Sequence, residues 1–134
     1  MLGEQIGELS GKTTGRRVLP SDGGGPKMET SQELRGKLLG VDVTNMVTYW
    51  AVVRPDGNLY GDGQGVFMGA GGEMASYVGT GLGVFTGPGA VSFRGSFYFQ
   101  TTSPKWARLN NVSVIFESDT AANGDTTLKT WEWK

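Results

Sequence analysis

Glycine recurs at every second position in two stretches of this sequence, and this pattern restricts the fold more than any other. The two stretches lie between Asn58 and Phe85 and are joined by Gly69-Ala70-Gly71-Gly72, a short turn signal. The glycines are Gly61, Gly63 and Gly65, then Gly79, Gly81 and Gly83. Because side chains alternate between the two faces of a strand, each trio leaves one face of one strand bare. We predict a tight hairpin with a stripe that another backbone, a large side chain or a ligand can approach closely.

The composition excludes several kinds of functional site. The chain of 134 residues contains no cysteine and no histidine. Disulfides, cysteine nucleophiles, histidine-dependent triads and thiolate or histidine metal sites are therefore ruled out. No helix follows the glycine trios, as a phosphate loop requires, and the aspartates do not have the spacing of a calcium loop. We expect no metal and no cofactor.

The charge balance argues against nucleic acid and membranes as partners. The chain has 12 basic and 13 acidic residues and a net charge of −1, which gives no basic surface for a polyanion. The N-terminal stretch does not have the pattern of a secretory signal, and no segment is apolar enough to span a bilayer. Lack of cysteine is compatible with the cytosol, and we expect a cytoplasmic protein.

The strongest strand signal is Lys37–Val53. One of its faces is mostly apolar and is predicted to face the core: Val41, Val43, Asn45, Val47, Tyr49, Ala51 and Val53. A proline-glycine turn, Arg54-Pro55-Asp56-Gly57, follows it. Similar turns are predicted at Thr86-Gly87-Pro88-Gly89 and at Ala121-Ala122-Asn123-Gly124.

Other segments also favour strands. Leu2–Leu19 is predicted as one long bent strand or two short ones, with Gly3, Gly7, Gly11 and Gly15 on one face. Lys27–Arg35 is short for a helix, and its alternation favours a strand. Further strands are predicted at Ala90–Thr102, Asn111–Asp119 and Thr126–Lys134, with a connection at Ser103–Asn111 that has room for one helical turn.

About eight strands joined mostly by short turns favour an antiparallel meander over βαβ units. Eight is also the number at which a closed sheet has an interior that side chains just fill or that holds one small ligand. Closure removes exposed sheet edges. We predict an all-β, single-domain, antiparallel eight-stranded barrel over residues 1–134, with a two-sheet sandwich as the alternative.

Two segments resemble a known group of barrels. They are the strand–turn–strand from Tyr49 to Gly63 and the run Tyr77–Phe85, which contains Gly79-Thr80-Gly81 and is followed by Arg94-Gly95. From Val47 to Phe99 the chain resembles the allene oxide cyclase and dirigent type of small β-barrel. This resemblance implies an eight-stranded barrel, a dimer or trimer, and a cavity that steers cyclisation or coupling of a reactive small molecule. No pocket residue of those families aligns with this chain, so no role is transferred.

Four residues are candidate ligand-binding groups: Glu8, Asn45, Tyr49 and Tyr77. Asn45 and Tyr49 are polar groups in an apolar row, so inside a barrel they need partners from a ligand or from neighbouring strands. Tyr77 shares the glycine face and either packs over Gly61 and Gly63 or contacts a ligand. Glu8 is a candidate acid or base if it points inward, and a solvated carboxylate if it points outward.

The sequence leaves two functions open. The first is a barrel that binds a small, largely apolar molecule and acts as an isomerase or cyclase by shaping it. The second is a structural or interaction barrel with a filled interior and no catalysis. Trp131 and Trp133 share one face of the last strand, which is a subunit interface if it lies outside and core if it lies inside. In both cases we expect a homo-oligomer, a dimer or a trimer.

Overall fold

The first strand pairs with the last, and this pairing closes the sheet into a barrel. The computed structural model describes residues 1–134, and every strand in it is antiparallel to both neighbours. The strands are β1 (Leu2–Leu19), β2 (Lys27–Leu38), β3 (Val41–Val53), β4 (Leu59–Gly69), β5 (Met74–Gly87), β6 (Ala90–Thr101), β7 (Ser113–Thr120) and β8 (Asp125–Trp133). The predicted eight-stranded barrel is confirmed, and the sandwich is excluded.

The predicted strand Lys37–Val53 is wrong at its start, because a turn between β2 and β3 lies inside it. Lys37 and Leu38 belong to β2, and Leu39 and Gly40 form the turn with φ angles of 49° and 76°. Positive φ at both central residues is what a two-residue hairpin turn of type I′ requires. Glycine is common in this conformation and leucine is not, so only Gly40 of the two central residues indicates the turn in the sequence. The other predicted turns lie between strands as expected.

β1 is one strand of 18 residues, but its glycines do not share a face. Register shifts occur between Gln5 and Gly7 and between Thr13 and Gly15. Each irregularity changes which face the following residues occupy. Gly7 and Gly11 lie against side chains of the interior, whereas Gly15 pairs with Ser31 on the outer face. The predicted glycine face of β1 is therefore wrong beyond the bulge.

The glycine stripe of β4 and β5 faces the interior, where aromatic rings cover it. A Cβ at Gly79 would lie 2.7 Å from Cδ1 of Phe97, and one at Gly83 would lie 2.7 Å from Cε1 of Phe93. Tyr77 covers Gly65, rather than Gly61 and Gly63 as expected from the sequence. The stripe is predicted to admit another backbone, a large side chain or a ligand, and the structure shows large side chains packed against it.

A short 3-10 helix, Pro104–Asn111, connects β6 to β7 and closes one end of the barrel. Its Trp106 and Leu109 are fully buried in the core. Nη2 of Arg108 lies 2.8 Å from Oε1 of Glu132 on β8 and 3.1 Å from Oε1 of Glu4 on β1. The helix is thus held to both strands of the closing seam. No helix in the structure has the length and apolarity needed to cross a membrane.

Replacing Gly79 with alanine is expected to lower the free energy of unfolding by about 1–3 kcal/mol, because the new Cβ forces the Phe97 ring to move within a packed core. The matched control is Gly15→Ala, where a Cβ meets nothing within 4 Å. The control should stay within about 0.5 kcal/mol of the wild type. Urea unfolding measures both, and equal stability of the two variants would contradict this account of the stripe.

Candidate ligand-binding lumen

Two adjoining cavities lie along the interior of the barrel, and a third space of about 730 Å³ is bordered mainly by outward-facing residues of β2–β6, such as Met46, Val78 and Tyr98. An inner cavity of about 60 Å³ lies in the middle of the barrel, and a mouth of about 200 Å³ lies at the open end, away from the 3-10 helix. Tyr49 and Phe93 line both, and their ring centroids are 5.6 Å apart in an edge-to-face arrangement of 68°. This aromatic pair is therefore the partition between mouth and inner cavity.

The mouth is mainly apolar. Its walls include Met28 on β2, Ala51 and Val53 on β3, and Phe85 and Val91 on β5 and β6. Phe85 belongs to the inward-facing row of β5 yet remains 52% exposed, because the barrel is open at this end. Most ligand sites combine such apolar walls with a few polar groups. Here the polar groups include Thr13, Arg16, Thr30 and the Tyr49 hydroxyl.

Tyr49 supplies a neutral hydroxyl at the partition. Burial raises its pKa, although the Thr30 side chain and the positive charge of Arg16 act in the opposite direction. The phenol therefore keeps its proton at neutral pH and can donate a hydrogen bond or accept one.

Asn45 and Tyr77 form a buried pair at the inner cavity. The Tyr77 hydroxyl donates a hydrogen bond of 2.9 Å to Oδ1 of Asn45. Burial raises the pKa of Tyr77 well above its ordinary value, and the bond to Asn45 lowers it only in part. Nδ2 of Asn45 has no hydrogen-bond partner, although the residue is 0% exposed. A buried amide N–H group without an acceptor is unusual and costly.

A polar network around Gln32 also borders the inner cavity and was not singled out from the sequence. Nε2 of Gln32 donates to Oγ1 of Thr126 at 3.1 Å and to Oγ1 of Thr120 at 3.2 Å. The two threonine hydroxyls lie 2.9 Å apart. In the sequence Gln32 alternates with Leu34 on one face of β2, but the threonines lie far along the chain. Only barrel closure shows that the three meet.

Glu8 does not reach the lumen. Its side chain is exposed on the outer face of the barrel, where its Oε1 lies 3.9 Å from Nζ of Lys129 on β8. The structure therefore brings together three of the four candidates, Asn45, Tyr49 and Tyr77, and their role in binding stays a prediction. Trp131 and Trp133 lie on the outer face as well, with Trp133 55% exposed.

The polar side chains that point into the inner cavity are neutral: those of Asn45, Gln32, Ser118 and the two tyrosines. Asp62 also borders this cavity, but it alternates along β4 with the inward-facing Gly61 and Gly63, so its carboxylate lies on the outer face. The buried carboxylate of Glu132 lies with the 3-10 helix, where Arg108 binds it. Such a lumen can exclude water, orient a molecule and donate hydrogen bonds to it. The arrangement favours chemistry driven by shape over carboxylate acid–base chemistry.

No family model matches this sequence, and no curated protein does. Solved structures do match. A protein of unknown function from Clostridium acetobutylicum superposes with a TM-score of 0.83 at 16% identity, covering 96% of each chain. A β-barrel-like protein from Acinetobacter baumannii gives 0.83 at 13% identity, covering 100% of this chain and 96% of that one. An enzyme from Penicillium herquei gives 0.70 at 15% identity, covering 98% and 92%. These similarities show the fold alone.

The buried tyrosines predict how stability depends on pH. Burial raises the pKa of Tyr77 and of Tyr49, so the folded state holds these two protons more tightly than the unfolded state does. The contribution of the two tyrosines to the free energy of unfolding is therefore fully present below about pH 10 and is lost as the pH rises above it. Tyr77→Phe removes one of these protons. Urea unfolding between about pH 9 and about pH 11 should show a smaller loss of stability for this variant than for the wild type. Equal slopes would contradict the burial of a neutral Tyr77 hydroxyl.

Proposed function

We propose that this barrel binds a small, largely apolar molecule that enters through the open mouth. The observation that carries the proposal is that the mouth lies directly against the inner cavity, since both have Tyr49 and Phe93 as walls. The opposite end is filled by Trp106 and Leu109. A ligand therefore enters and leaves by one route.

The cavity volumes limit the size of the ligand. The mouth of about 200 Å³ and the inner cavity of about 60 Å³ are smaller than most drug-sized pockets, which measure roughly 300–1,000 Å³. An apolar protein cavity of about 150 Å³ binds benzene. The rings of Tyr77, Phe93 and Phe97 fill the rest of the lumen. The ligand is accordingly a compact molecule, comparable to a substituted benzene or a short-chain compound.

The activity that suits this lumen is isomerisation or cyclisation by shaping the substrate. Two observations support it: the sequence resemblance to allene oxide cyclases and dirigent proteins between Val47 and Phe99, and the shared fold with an enzyme from Penicillium herquei. A rigid aromatic lumen with neutral donors holds a reactive molecule in one conformation and excludes water.

The second candidate function, an interaction barrel, is favoured by the outer face of β5. Its outward side chains include four exposed apolar residues: Met74, Val78, Leu82 and Val84. Met46 on β3 and Tyr98 on β6 extend this apolar surface to both sides. No ion pair in the structure involves a residue of β4 or β5. An exposed apolar patch of this kind is typical of a protein interface.

The partner that best suits this surface is a second copy of the same chain. A two-fold interface places the same patch on both sides, so a patch rich in charge would bring like charges together. The outer face of β5 has apolar and hydroxyl side chains and avoids this cost, whereas the outer faces of β1, β2, β6, β7 and β8 carry ion pairs. This surface and the one around Trp131 are alternative interfaces for the homo-oligomer.

The binding proposal is tested by titrating the protein with toluene and following backbone amide NMR signals around the mouth. Ala51→Phe places a ring in the mouth and should weaken toluene binding by about tenfold or more, because the site is then occupied. The control is Val52→Phe on the outer face of the same strand, which should bind like the wild type. Toluene binding that is absent, or equal in both variants, would argue against the mouth as the site.

The interface proposal is tested by measuring mass in solution by light scattering. The double variant Val78→Lys, Leu82→Lys should be a monomer, because charged side chains cannot be buried against their own copies. Thr127→Lys, on the ion-paired outer face of β8, should keep the wild-type mass. A monomeric wild type would refute the proposal, and dissociation by Trp131→Ala and Trp133→Ala alone would assign the interface to β8.

A further inference from the structure

We propose that the side-chain amide of Asn45 receives the oxygen of a neutral carbonyl group, so that the ligands of this barrel are compact ketones, aldehydes or esters. This inference rests on the proposed function, because it names the chemistry of the same lumen. Its starting point is the amide itself: Asn45 is 0% exposed, lines the inner cavity, and has an Nδ2 without a partner. A buried N–H group calls for an acceptor.

The orientation of the amide is set by Tyr77. The tyrosine hydroxyl donates to Oδ1 of Asn45 at 2.9 Å, which leaves Nδ2 as the free end of the amide. The Tyr77 ring is itself held among Phe67, Phe97 and Phe99, with centroid distances of 5.4, 4.4 and 5.2 Å. Asn45 is therefore a donor fixed in place before any ligand arrives, as a recognition group should be.

The surroundings favour a neutral acceptor over a carboxylate. The polar side chains that point into the lumen here, those of Gln32, Tyr49 and Tyr77, carry no charge. Asp62 borders the cavity from the outer face of β4, and Arg16 lies out at the mouth. A carboxylate buried without a counter-ion would be strongly disfavoured. A carbonyl oxygen accepts a hydrogen bond and brings no charge with it, so it satisfies Nδ2 without this cost.

The shape of the lumen places the carbonyl near one end of the ligand. The inner cavity of about 60 Å³ has room for a small head such as an acetyl group, while the mouth of about 200 Å³ has room for an apolar body. Tyr49 and Phe93 are in edge-to-face contact between the two cavities, so these rings must move apart for the head to reach Asn45. Methyl ketones with a short alkyl chain fit this description.

The test compares two probes of nearly the same shape, 2-octanone and 2-methyl-1-octene, in which a CH₂ group replaces the carbonyl oxygen. Binding is measured by NMR titration of the whole chain, with the side-chain amide signals of Asn45 assigned. The wild type should bind the ketone about tenfold more tightly, as one buried hydrogen bond allows, and the Asn45 amide signals should move with the ketone alone. In Asn45→Leu this preference should vanish while the alkene still binds.

Tyr77→Phe gives a second variant in case Asn45→Leu does not fold. It keeps the ring but releases Oδ1 of Asn45, so the preference for the ketone should fall while binding of the alkene stays. Equal affinity of the two probes for the wild type, or Asn45 signals that the ketone leaves unmoved, would overturn this inference and leave the binding proposal standing. Failure of both probes to bind the wild type would overturn the binding proposal itself.

Discussion

Contact between aromatic rings and bare glycine backbone determines the interior of this barrel. Phe97 rests on Gly79 and Phe93 on Gly83, at distances that no Cβ atom could share. Phe97 also stacks on Phe116, with a centroid distance of 4.3 Å and an interplanar angle of 16°. Because these rings occupy the middle of the lumen, the inner cavity is smaller than the mouth, which lies on the other side of Tyr49 and Phe93. The glycine pattern thus creates room that the aromatic residues then fill.

Local features of the chain could be predicted from the sequence, because their causes are local. Asn123-Gly124, Pro55 with Gly57, and the glycine-rich turn before Met74 mark hairpins by backbone preference alone, and all three lie between strands. The inward row of β3 followed from its alternation of apolar and polar residues. Leu39 shows the limit of such signals, since the conformation it adopts is one that leucine seldom takes.

Features that depend on register between distant strands could not be predicted. Asn45 and Tyr77 were candidates separately, but their hydrogen bond follows from the pairing of β3 with β4 and of β4 with β5. The side chain of Glu8 points outward, because the register shift between Gln5 and Gly7 determines which residues of β1 face the interior. Trp106 lies in a connecting segment without a strand pattern, so the sequence does not indicate that it is buried. Its burial follows from the position of the 3-10 helix at one end of the closed barrel.

The seam between β1 and β8 has a consequence for how the protein is made. Leu9 pairs with Leu128, so β1 can complete its pairing only after the seven strands that follow it have been synthesised. Until then β1 and β7 are open edges, and open edges recruit strands from other chains. Arg108, which contacts Glu4 and Glu132 together, can secure the seam only after both strands have emerged from the ribosome. We therefore expect incomplete chains of this protein to aggregate more readily than the closed barrel.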